Sequence, residues 1–374
     1  MKYKTLKECG DIKGRRVLIR CDFNVPIEEG KITDDYRIKQ ALPTLKYLRE
    51  QGAKVVIISH IEGESHTLKP VYDYLKNIFP IEFCEDCIET GHQTVMEMKE
   101  GEVILCENLR LYDGEKKNDQ EFSKKLARLG EIYVNEGFSV SHRSHASVVG
   151  VAKCMRGYLG FQFEKEVENL SKAFNPPKPF LFILGGAKFD TKLPLVEKFL
   201  PLADTIFIGG ALANDFYKAQ GLEVGKSKIS DASLDLTELL SNPKVIIAPD
   251  IIVESSRGKK QKQPTEVESD ESILDVGEES IKLLAEKCKD AKCILWNGPL
   301  GNFEAGFKEP TEQLAQIIAH SPHAFSIVGG GDTIAAIANQ NLQDKFGFIS
   351  TGGGAMLDFL AKGTLPGLEA LKSK

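Results

Sequence analysis

Apolar runs of four to eight residues recur along the chain, each followed by a longer stretch with helix-like spacing. In the first half they are "VLIRCDF" (17–23), "KVVIISH" (54–60), "VILCEN" (103–108) and "EIYVNEGF" (131–138). In the second half they are "PFLFILGG" (179–186), "TIFIGG" (205–210), "KVIIAPDIIV" (244–253), "KCILWNGP" (292–299), "FSIVGGG" (325–331) and "FGFISTGGG" (346–354). Unbroken apolar strands alternating with helices predict parallel sheets covered on both faces. Two sets of strands predict an α/β protein of two doubly wound, Rossmann-like domains.

Between the sets lies "FQFEKEVENLSKAFNPP", where Phe163, Val167, Leu170 and Phe174 share one helical face and Asn175-Pro176-Pro177 ends the helix. The expected division is residues 1–160, a connecting helix and linker over 161–177, and residues 178–361. The polar stretch "SSRGKKQKQPTEVESDES" (255–272) predicts an exposed loop or hairpin.

Four second-half strands run directly into glycines and then a helix, at "LGGAK", "IGGAL", "VGGGD" and "TGGGA". In an open parallel sheet such turns gather at the carboxyl ends of the strands, where ligands bind. Free N–H groups at each helix start suit a polyphosphate. Asp332 closes the third turn, either as a plain helix N-cap or as part of the site.

Composition narrows the classes. The chain has 374 residues, 27% of them charged, and a net charge of −6, which excludes the strong positive excess of a nucleic-acid binder. "MKYKTLKECGDIKG" has no apolar signal core, and no stretch approaches 18 apolar residues. The expectation is a cytoplasmic protein with no membrane or nucleic-acid partner. Most of the eight cysteines, Cys106 and Cys293 among them, sit in apolar runs as small hydrophobes. Cys84 and Cys87 form a lone CxxC without the second pair zinc needs, and the seven histidines show no metal spacing.

Familiar nucleotide motifs fail. "GLEVGKS" (221–227) is one residue short of a P-loop and follows a helical stretch, and no GxGxxG is followed by the required acidic residue. "GGAKFDTK" (185–192) says more. Lys188 and Lys192, four apart, are either two solvated cations or a phosphate clamp, and the glycines beside them favour the clamp. In the first half, Asp22 and Asn24 of "RCDFNVP", His60, Arg110, and His142, Arg143 and His145 all follow strands, with Arg37 at a helix start. Together they predict a basic bowl for a small multi-anionic substrate.

These motifs resemble the phosphoglycerate kinase family. "RCDFNVP", "YRIKQALPTLKYL", "ENLR", "FSVSHRSHAS", "LGGAKFDTK", "LWNGPLGNFE", "VGGGDT" and "STGGGA" occur in that family's order over nearly the whole chain. The resemblance implies reversible phosphoryl transfer from 1,3-bisphosphoglycerate to ADP, giving 3-phosphoglycerate and ATP. It implies a glycerate domain and a Mg-nucleotide domain facing each other across a cleft, closed by hinge motion, with residues 362–374 returning to the first domain and a monomer as the working unit. By motif, Asp332 binds the Mg2+ of the nucleotide, which explains a carboxylate in a phosphate cradle. Lys192 holds the transferring phosphoryl group and Lys188 steadies the nucleotide phosphates. Gly352, Gly353 and Gly354 offer N–H groups to the transferring group, and Arg37 orients the reacting carboxyl end. Gly186, Gly209, Gly210, Asn297, Pro299, Glu304, Gly330, Gly331 and Thr333 line the nucleotide site. Asp22, Asn24, His60, Arg110 and Arg143 hold the glycerate and its stable phosphate.

One loop departs. The family's S-H-L-G-R-P reads Ser59-His60-Ile61-Glu62-Gly63-Glu64 here, so a phosphate-binding arginine is missing and two acids stand in its loop. A charge-assisted hydrogen bond is worth ~1.5–3 kcal/mol. The expectation is weaker glycerate binding, or replacement by His66 or Lys69. Glu136, where the family has aspartate, is a smaller departure. The loop also motivates two alternatives, a weakly active or inactive nucleotide-binding relative and a kinase acting on another carboxylate.

Overall fold

The computed structural model describes residues 3–63, 66–86, 88–89, 91–230 and 235–372, with the side chain of Asp190 left aside. Cys87 and Glu64 lie outside the described residues. Two compact units divide the chain, one running to Glu168 and taking up the residues from Lys362 onward, the other spanning Asn169–Ala361. The helix Phe161–Ser171 crosses that boundary, and a 3-10 turn, Lys172–Phe174, leads to Asn175.

The first unit holds a six-stranded sheet of β1 (Arg16–Arg20), β2 (Lys54–Ile58), β3 (Glu82–Cys84), β4 (Val103–Cys106), β5 (Ile132–Asn135) and β6 (Gly157–Leu159). Their order is β3-β4-β2-β1-β5-β6, parallel throughout. Val17, Ile19, Val55, Ile57, Leu105 and Val134 are buried in one core, as continuous apolar strands covered on both faces require. The C-terminal helix Pro366–Ala370 rests on the segment Ala146–Cys154 of the same unit, where Gly367 donates its N–H to the Ser141 carbonyl at 2.9 Å.

Pattern reading missed β3 and β6. Each has three residues and lies at a sheet edge, too short to show a period. Cys106 is buried at the end of β4 as expected, but it is disulfide-bonded rather than a free apolar filler.

The second unit's main sheet contains β7 (Phe180–Leu184), β8 (Thr205–Ile208), β9 (Val245–Ile247), β13 (Cys293–Asn297), β14 (Phe325–Gly329) and β15 (Phe348–Ile349). It runs β9-β8-β7-β13-β14-β15, again all parallel. The run 244–253 is not one strand, because the chain leaves β9, passes Pro249 and enters β10 (Ile251–Ser255). β10 pairs antiparallel with β11 (Gly258–Lys262) and β12 (Ser272–Val276), so a small antiparallel sheet accompanies the parallel one. The hairpin expected in 255–272 is its exposed edge.

Candidate active site

In the second unit the carboxyl ends of β7, β8, β13, β14 and β15 open into one cleft of about 770 Å³. Gly186, Lys188, Lys192, Asn297, Pro299, Glu304, Gly330, Gly331, Asp332 and Gly353 all reach its wall. These are residues the sequence singled out, gathered from four chain segments.

Lys192 lies on the helix Phe189–Phe199, one turn beyond Lys188 at its N-cap. Its side chain turns back, and its ammonium donates to the Gly185 carbonyl. Burial and the Lys188 charge lower its pKa to about 8, opposed by Asp332. An ammonium partly stripped of water gains strongly from an anion. Asp332 stands in the first turn of the helix Gly331–Asn339. Burial and Glu304 raise its pKa, and Lys192 opposes the rise. A carboxylate whose ionisation is disfavoured by burial and a neighbouring acid suits a hard cation.

Among the described residues no group of three or more His, Cys, Asp or Glu could hold a metal. A resident cage is therefore not offered. The donor set fits a divalent ion that arrives on phosphate oxygens and takes one carboxylate from the protein.

Some expected residues are not part of the wall. Gly209 donates its N–H to the Leu184 carbonyl at 2.8 Å, and Gly210, at φ +61°, abuts the Gly186 backbone. Thr333 is buried and accepts the Gly298 N–H at 3.1 Å. Gly354 opens the helix Gly354–Lys362, and buried Gly352 donates to Ser350 Oγ at 3.1 Å. Other wall residues were missed, including Lys226, Ser227, Lys228 and the strand segment Ser272–Leu274. "GLEVGKS" is not a P-loop, but its Lys226 and Ser227 do face the cleft. Ser227 Oγ accepts the Ile273 N–H at 2.8 Å, which holds this segment against β12.

The bowl of the first unit forms at the carboxyl ends of β1, β2, β4 and β5. Asp22 holds Arg37, its Oδ2 lying 3.1 Å from Arg37 Nη1, which also donates to the Asn24 carbonyl at 2.9 Å. Buried Arg20, which sequence reasoning passed over, lies with Nη2 3.0 Å from His60 Nδ1 and donates from Nε to Ser147 Oγ at 2.9 Å. Arg110 Nη1 stands 3.1 Å from His145 Nδ1.

His60 and His145 do not supply the positive charge expected of them. Burial first, then Arg20, Arg110 and Arg143, push the His60 pKa well below the ordinary value. Burial and the arginines lower His145 to about 4. Neutral rings accepting arginine N–H groups at Nδ1 carry their own proton on Nε2. The bowl's cationic charge therefore comes from arginine.

Glu62 has entered this bowl. Its Oε1 lies 3.2 Å from Arg143 Nη1 and 3.4 Å from Arg110 Nη2. The Lys69 ammonium lies over the rings of Tyr72 and Phe83, 4.5 and 5.0 Å from their centroids. His66 offers its carbonyl to Asn108 Nδ2 at 3.1 Å.

Comparison with known proteins decides the family. The family model described as phosphoglycerate kinase matches residues 6–363. The chain belongs to the phosphoglycerate kinase family. The phosphoglycerate kinase of Dictyoglomus turgidum is 42% identical over 386 residues, covering 97% of each chain. That of Francisella tularensis is 40% identical over 396 residues, covering 100% of this chain and 99% of its own. Among solved structures, phosphoglycerate kinase from Coxiella burnetii superposes with a TM-score of 0.85 at 37% identity, covering 99% of both chains. The Pyrococcus horikoshii enzyme gives 0.86 at 32% identity, covering 99% of this chain and 98% of its own. Like the rest of the phosphoglycerate kinase family, the chain is a phosphotransferase with a carboxyl group as acceptor. Among the described residues no helix is long and apolar enough to cross a membrane.

Proposed function

We propose that this chain transfers a phosphoryl group reversibly between ATP and the carboxylate of 3-phosphoglycerate, with the nucleotide in the cleft of the second unit and the glycerate in the arginine bowl of the first. The observation that carries this reading is the meeting of Lys188, Lys192 and Asp332 with the glycine turns after β7, β14 and β15 on one cleft wall. Lysines and helix N–H groups there can receive a triphosphate, and transfer requires the two sites to be brought together.

The acceptor carboxylate is ionised at neutral pH, so no general base is needed. The chain contributes alignment and charge. Lys192 neutralises the moving phosphoryl group, Lys188 the neighbouring phosphates, and Gly353 presents backbone N–H from the end of β15. Arg37, held by Asp22 and the Asn24 carbonyl, fixes the reacting carboxyl end. Asp332 would hold Mg2+ carried by the nucleotide, which when bound supplies further charge neutralisation on the phosphates.

A coupled assay with Mg-ATP and 3-phosphoglycerate tests the reading. Wild type should turn over, and Lys192→Ala should lower kcat at least ~100-fold, the scale of losing one preorganised charge. Equal rates for the two proteins would sink it. The Glu62 contact with both arginines favours one second reading, a different small carboxylic acid as acceptor. A panel of such acids that outperforms 3-phosphoglycerate would establish that alternative.

A further inference from the structure

Arg110 is built to receive an anion. Its side chain is 7% exposed, and Nε and Nη2 find no hydrogen-bond partner among the described residues. A buried guanidinium with unused donors is costly unless a ligand completes it. Glu62 supplies charge without completing it, because its Oε1 lies 3.4 Å from Nη2 outside hydrogen-bond geometry and is shared with Arg143. The Glu62 side chain is itself 45% exposed, and its backbone N–H is donated to Asn24 Oδ1 at 2.9 Å. The loop is therefore anchored through its backbone, while the half-exposed carboxylate is held by a single hydrogen bond from Arg143 among the described residues.

We propose that Glu62 is an internal competitor for the phosphate of the acceptor substrate, its carboxylate lying across Arg110 and Arg143 where that phosphate must bind. The inference rests on the phosphoglycerate kinase reading of the bowl. A phosphate dianion carries more charge than the carboxylate and offers three oxygens in place of one shared oxygen, so it displaces Glu62 and meets the unused donors of Arg110. Displacement is then part of every binding event and weakens it. The loop thus acts twice on affinity, by lacking an arginine and by placing an acid against the arginines that remain.

Glu62→Gln removes the charge and keeps the shape and the backbone contact to Asn24. Calorimetry with 3-phosphoglycerate, and separately with inorganic phosphate, should show Kd falling about 10-fold in the variant, the scale of one charge-assisted contact. The KM for 3-phosphoglycerate should fall with it, and the KM for Mg-ATP should not. A Kd that is unchanged or higher in Glu62→Gln overturns the proposal, a higher value marking Glu62 as a brace for the arginines. The phosphate titration needs no turnover. Absence of turnover in wild type, with tighter phosphate binding by the variant, would defeat the kinase reading and leave the competition standing.

Discussion

Gly298 donates its N–H to Thr333 Oγ1 at 3.1 Å, tying the turn after β13 to the first turn of the helix that carries Asp332. Both residues are buried. Thr333→Val keeps the volume but removes the acceptor, leaving a buried N–H unpaired at a cost of ~1–3 kcal/mol. The expected result is a lower thermal midpoint and a higher KM for Mg-ATP, with Thr333→Ser close to wild type on both. A valine variant matching wild type would show that the two turns hold their places independently.

Lys192 gives a prediction about protons. Its pKa is about 8, lowered by burial and Lys188, and a bound phosphate would raise it again. At pH 8 nucleotide binding should therefore take up roughly half a proton. Calorimetry of Mg-ATP binding in two buffers of different ionisation enthalpy measures this. The uptake should vanish in Lys192→Met, and equal uptake in both proteins would assign the proton elsewhere.

Two glycines separate backbone strain from crowding. Gly353 has φ +52° and open space where a Cβ would stand, so Gly353→Ala should cost only the left-handed penalty of ~1–2 kcal/mol. Gly210 has φ +61°, and a Cβ there would run into the Gly186 nitrogen and the Pro299 carbonyl. Gly210→Ala should therefore destabilise the second unit by ~2–4 kcal/mol and displace the turn beside Lys192. Denaturant unfolding of the two variants compares them directly, and equal losses would refute the distinction.

These turns explain why much of the nucleotide cleft was legible from residues alone. Strand, glycine and helix start are local patterns, and a parallel sheet must bring its carboxyl ends together. The contact of Glu62 with Arg143 was not legible, because it joins positions 81 apart through side chains whose spacing has no period. Nor was the role of Lys226, which reaches the wall because the Lys226 N–H is held by the Glu271 carbonyl at 2.7 Å. The antiparallel sheet was hidden for a third reason. β11 is mostly exposed and lysine-rich, so it lacks the apolar alternation that marks a half-buried strand. Neutral His60 and His145 depend on burial and neighbouring arginines, which no local pattern reports.

Glu136 links stability to pH. It is buried beneath the start of the helix Phe161–Ser171, and its Oε1 accepts from Thr44 Oγ1 and from the Gln162 N–H at 3.2 Å. Its Oε2 has no hydrogen-bond partner among the described residues. Burial raises its pKa from 4.5 to about 8, outweighing the donors around Oε1. Below pH 4.5 the folded and unfolded chains both hold the proton, and the group has no effect on the pH profile. Between 4.5 and about 8 the unfolded carboxyl ionises while the folded one stays protonated, so stability falls as pH rises. Above about 8 both are ionised and the loss levels off, at a size on the order of a few kcal/mol. Glu136→Gln mimics the protonated carboxyl and should remove this slope, gaining stability over wild type at pH 8 but not at pH 4.5. Urea unfolding across that range, read as the difference between the two proteins, isolates Glu136 from other titrating groups. Parallel profiles would mean that this carboxyl is ionised in the folded protein despite its burial.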